Sequence, residues 1–80
     1  MKRFTSREIG GELMIHDAVT DSVHVLSPTA RMVYESARAG KTGEETVQVI
    51  RLSFTVPEDR DVLQDVLRCL GELRAKGLVD

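Results

Sequence analysis

Eighty residues suffice for one domain, expected here to span 1–80, with one compact core and no deep catalytic cavity. Eleven basic against thirteen acidic side chains leave a net charge of −2, which argues against a protein that grips a phosphate backbone. The 41% hydrophobic and 30% charged fractions are those of an ordinary folded, soluble chain.

Cys69 is the sole cysteine, so no intrachain disulfide can form. No apolar run approaches the ~20 residues that span a bilayer. The basic start Met1-Lys2-Arg3 is not followed by the apolar stretch of a signal peptide. The expected location is the cytoplasm, with no membrane partner.

The first third of the chain has the period of strands. Phe4 to Ile9 is a mixed strand, and Gly10-Gly11 is a two-residue hairpin signal. Glu12 to His16 follows, with Leu13 and Ile15 on one face and Met14 and His16 on the other. Asp17 to Asp21 is polar and small, the composition of a turn. Ser22 to Leu26 is the third strand, with Val23 and Val25 sharing a face that is expected to be core. Three such strands form an antiparallel meander, which is marginal unless one face is covered.

The rest has the period of helices. Ser27 can cap the first helix, and Pro28 suits its first position because its missing N–H has no partner there. Ala30, Val33, Tyr34 and Ala37 fall on one face, with the Tyr34 hydroxyl expected to reach the surface, and Gly40 is a stop. Thr42 and Glu45 form a capping box for the second helix, whose inner face is Val47, Ile50 and Phe54. Pro57 is expected to open the third, with Glu58, Asp59 and Asp61 favourably placed at its positive end. Val62, Leu63, Val66, Leu70 and Leu73 form its buried stripe, and Gly77 ends it. Strands followed by a helical trio make an α+β fold, winged helix-turn-helix-like, with a three-stranded antiparallel sheet followed by three helices.

No constellation points to catalysis. His16, His24 and Cys69 are isolated and lack ligand spacing, so no metal or other cofactor is expected. Cys69 has no evident base to activate it. Gly10-Gly11 is not a phosphate loop, since no helix starts after it. Arg31, Arg38, Lys41, Arg51 and Arg60 read as solvated cations.

Taken together, the chain resembles the PqqD-like proteins, or RiPP recognition elements, over almost its whole length. The likeness rests on Gly11-Glu12, on Val25-Leu26-Ser27-Pro28-Thr29-Ala30 at the strand-to-helix junction, and on Gly40-Lys41-Thr42 before the second helix. It continues through Glu45, Val47, Ile50 and Phe54 and closes on Asp65-Val66, Leu70, Leu73 and Gly77-Leu78-Val79. The chain departs from the family pattern at Ser27, Ala39 and Cys69. The last stands where a large aromatic is common, which bears on the shape of a peptide groove.

The resemblance implies a non-enzymatic adaptor that binds the leader of a ribosomally made precursor peptide. It also implies delivery to a modifying enzyme, in such pathways often a radical SAM enzyme, with pyrroloquinoline quinone as one end product. The leader would add as a strand beside the third strand, a β-augmentation, and lie against the third helix. The residues so implied are Ser22, Val23, His24, Val25 and Leu26 on the strand, and Asp65, Val66, Cys69 and Leu73 on the helix. The alternative from another class is a winged-helix DNA-binding regulator, which needs a basic recognition helix. Glu44 and Glu45 beside Arg51 do not supply one, so no nucleic-acid partner is expected. A third possibility is a homodimer formed by pairing of exposed edge strands.

Overall fold

The computed structural model describes residues 2–54, 59 and 61–79. The strands are β1 (Phe4–Ile9), β2 (Glu12–Asp17) and β3 (Ser22–Leu26), and the helices are α1 (Pro28–Arg38), α2 (Gly43–Ser53) and α3 (Val62–Ala75). The α+β class and the order of a three-stranded antiparallel sheet followed by three helices are as the sequence leads one to expect. Among the described residues no helix is long and apolar enough to cross a membrane. The chain divides into two compact units, 1–31 and 32–80, with the division inside α1.

The first unit is the sheet, in the order β1-β2-β3. Gly10 and Gly11 both have positive φ, 57° and 85°, the backbone of a tight hairpin that other residues adopt only under strain. One face of the sheet is buried through Leu13, Ile15 and Leu26.

Asp17 belongs to that face too. The local composition places it in a turn, but it is the last residue of β2 and only 1% exposed. Its carboxylate is met side-on by the Arg3 guanidinium, with Nε to Oδ1 and Nη2 to Oδ2 both 3.0 Å, and it accepts the Val19 N–H at 2.9 Å. A buried charge is tolerable only with such paired, hydrogen-bonded surroundings. The Arg3 hydrogen bonds hold the Asp17 carboxyl well below the usual carboxylate range, against the opposing effect of its burial. A second pair, Arg31 with Glu8 at 3.0 Å, ties the first turn of α1 to β1.

The second unit is helical. Its buried residues are Val33, Tyr34, Ile50, Val62, Val66, Leu73 and Leu78. At its start, α1 is capped by Ser27, whose Oγ accepts the Ala30 N–H at 3.2 Å. The helix ends in a Schellman motif: Gly40 N–H reaches the Ala37 carbonyl at 3.1 Å and Lys41 N–H the Ser36 carbonyl at 3.0 Å. Gly40 has φ of 80° and open space where a Cβ would sit. Gly40→Ala is therefore expected to cost about 1 kcal/mol through backbone strain alone, read as a lower urea midpoint with an unchanged slope.

The capping box opens α2, with Thr42 Oγ1 accepting the Glu45 N–H at 3.1 Å and Glu45 Oε1 accepting the Thr42 N–H at 2.9 Å. The Thr42 N–H holds the Glu45 carboxyl below its ordinary value. Within this unit α2 packs against α3, and the Leu63 and Leu67 side chains lie over Gly43. Tyr34 is buried, and its hydroxyl oxygen accepts from Arg38 at 2.8 Å.

Two corrections concern α3. It begins at Val62 with Asp61 as its cap, Asp61 Oδ1 accepting the Gln64 N–H at 3.1 Å. Pro57, Glu58 and Arg60 lie outside the described residues. Leu63, expected in the buried stripe, is 38% exposed. The helix buries Val62, Val66 and Leu73, with Leu70 half-buried, a narrower stripe than the leucine count suggests. The same arithmetic missed Ser36 and Thr46, both buried. Thr46 fits because its hydroxyl donates to the Thr42 carbonyl at 2.9 Å.

Candidate functional site

Strand β3 pairs with β2 on one side, and no described strand pairs with it on the other. Which of its backbone groups are open follows from the hairpin. A two-residue turn makes Ile9 and Glu12 a hydrogen-bonded pair. The Ala18 N–H to Arg3 carbonyl bond of 2.8 Å, between residues directly opposed in the same register, has the same parity. Glu12, Met14 and His16 therefore turn their N–H and C=O toward β1, and Leu13, Ile15 and Asp17 turn theirs toward β3. Opposite these last three stand Leu26, His24 and Ser22. Val23 and Val25 are left with N–H and C=O aimed at the open margin.

The side chains alternate with the same period. Ser22, His24 and Leu26 share the inner face with Leu13 and Ile15, and Leu26 is buried. Val23 and Val25 lie on the outer face, each 55% exposed, beside His16 and Met14. The expectation that these valines are core is thus overturned. Sequence alternation identified their shared face, but β3 has apolar residues on both faces, so period alone could not say which was covered.

The two margins of the sheet differ in chemistry. The β1 margin carries Arg7 and Glu8, with Glu8 engaged by Arg31. Charged side chains are an ordinary guard against unwanted strand pairing. The β3 segment Ser-Val-His-Val-Leu has no charge at neutral imidazole, no proline, and an unbroken register without a bulge. An unguarded margin of this kind is normally an aggregation hazard.

On α3, Val66 and Leu73 are buried at 1% and 2% exposure, inside the core of the helical unit. Asp65 and Cys69 are half-buried at its margin. Burial pushes the Cys69 thiol up, with Glu72 adding to the shift and Lys76 opposing it. Such a thiol stays protonated at neutral pH and is a poor nucleophile. The exposed leucine on the same helix is Leu67, at 49%, which sequence reasoning did not single out; its neighbour Leu63 is at 38%. The i, i+4 spacing of this pair is the signal that could have found it.

His16 Nε2 lies 3.0 Å from Asp21 Oδ1, across the turn that leads into β3. Asp21 itself adopts a positive φ of 53°, a conformation that aspartate tolerates better than most residues. Among the described residues no three His, Cys, Asp or Glu side chains are grouped to hold a metal ion.

The fold is shared with TbiB1. That protein was solved in complex with the TbiA(beta) leader peptide, and the match covers all of this chain and 92% of that one, with a TM-score of 0.80 at 22% identity. At this identity the likeness establishes the common fold. No family model and no curated protein matches the sequence.

Proposed function

We propose that this chain is a peptide-binding adaptor that captures the leader of a ribosomally made precursor and presents it to a modifying enzyme. The observation that carries the reading is the open, unguarded β3 margin in a fold shared with a protein solved with a leader peptide. The leader adds as a strand, its backbone bonding to Val23 and Val25. Each such bond contributes about 0.5–1.5 kcal/mol net and fixes register rather than identity. Identity comes from the leader's side chains against the strand residues Ser22 to Leu26, with Asp65, Val66, Cys69 and Leu73 as the candidates on α3. Of these four, Val66 and Leu73 are buried within the helical unit and Asp65 and Cys69 are half-buried.

In this reading all 80 residues work as one cytoplasmic domain of the PqqD-like kind, without chemistry or cofactor of its own. The enzyme it serves is of the radical SAM class, and pyrroloquinoline quinone is one candidate product. The test is to titrate the isotope-labelled protein with the leader of a precursor encoded beside its gene and follow the amide resonances. Shifts concentrated at Ser22 to Leu26 and along α3 support the reading. A titration that leaves both segments unmoved defeats it.

A further inference from the structure

The β3 segment is nearly self-complementary. Val23-His24-Val25 reads the same in both directions about His24, and both valines, not the histidine, carry the outward N–H and C=O. We infer that two copies of this chain pair antiparallel through β3, about a two-fold axis at His24, so that the free protein covers its own margin.

The register follows from the parity of the ladder. Val23 of one copy opposes Val25 of the other, and the reverse, as hydrogen-bonded pairs; the two His24 residues oppose one another as a non-hydrogen-bonded pair. This register uses every outward N–H and C=O of Val23 and Val25 on both copies. Sliding it so that like valines face each other brings in Asp21 or Ser27 instead. Asp21 is held at a positive φ in the turn, and the Ser27 carbonyl already accepts the Arg31 N–H at 2.8 Å. The outer faces then join, with Val23 and Val25 of both copies, each 55% exposed in one copy, side by side. An isologous contact of this form closes as a dimer and cannot propagate through the same margin.

The contact is small. Two five-residue strands bury far less than the ~1,200 Å² of a standard interface, so the dimer is weak and exchanges readily. It uses the groups that a leader would use, so dimer and loaded monomer exclude one another. The inference rests on the open margin and not on the identity of its guest.

Sedimentation from micromolar to millimolar concentration tests it with His24→Lys and His24→Glu. Each variant alone places like charges opposite one another and is expected to weaken self-association about tenfold or more. A one-to-one mixture pairs lysine with glutamate and should recover association to within about threefold of the unaltered protein. Melting curves check that both variants fold. Independently, a mixed sample of labelled and unlabelled unaltered protein should give a short Hα–Hα contact between His24 of one copy and His24 of the other. An unaltered protein that stays monomeric at millimolar concentration overturns the inference, as does a mixture no better than its components or a contact in another register. None of these outcomes decides leader capture, which the titration of the unaltered protein above tests separately.

Discussion

Val25→Pro is expected to leave the sheet folded and to weaken leader binding about tenfold or more, measured by calorimetric titration. The Val25 N–H faces the open margin, so proline removes no bond of the β2–β3 ladder. What it removes is a donor to the incoming strand, and its ring occupies the place where that strand must approach. His24→Pro provides the contrast. The His24 N–H faces Ile15 of β2, so the same substitution one residue earlier breaks the ladder and is expected to lower stability by about 3 kcal/mol. Equal effects of the two prolines on folding, or full binding by Val25→Pro, would falsify the assignment of open groups along β3.

Asp17→Ala should destabilise the fold more than any single surface change, lowering the thermal midpoint by on the order of 10 °C. The carboxylate is 1% exposed and holds both the Arg3 guanidinium and the Val19 N–H. Its removal leaves a hollow and frees the N-terminal segment from β2. The pair also sets a pH dependence. The folded state depresses the Asp17 carboxyl below its ordinary value of 3.8, so the folded form binds fewer protons than the unfolded chain. Its stabilisation is complete above that ordinary value and is lost as the pH falls below it. Urea midpoints taken at falling pH should decline for the unaltered protein. They should decline less for Asp17→Asn, which cannot titrate. An acid limb as steep in the asparagine variant as in the parent would remove Asp17 from the account.

Much of the fold was legible because its signals are local. The Gly10-Gly11 hairpin, the Ser27-Pro28 start of α1, the Thr42–Glu45 box and the Gly40 stop each depend on residues within one turn of each other. Those interactions form wherever the chain is locally free to make them. The start of α3 is ambiguous for the same reason: Asp61 and Pro57 both carry N-terminal chemistry in the sequence, and the folded helix has Asp61 as its cap. Leu63 is exposed against expectation because a helix with leucine or valine at six of its positions has more apolar surface than one stripe can bury.

The candidate site was legible as a strand and not as a surface. That Ser22 to Leu26 forms a strand follows from its alternation. That it ends the sheet, and that Val23 and Val25 hold the open groups, depends on the pairing order and on the parity set at Gly10-Gly11.

By itself, then, the amino-acid order determined the hairpin at Gly10-Gly11, the start and stop of α1 and the start of α2, because capping and hairpin geometry involve neighbours only. Tertiary structure alone decided which side of β3 is covered, which valine groups remain unpaired, and that Asp17 is a buried charge. Burial is a property of what packs against a face. The partner of Asp17 lies fourteen residues away, brought within reach only when β1 folds back on β2.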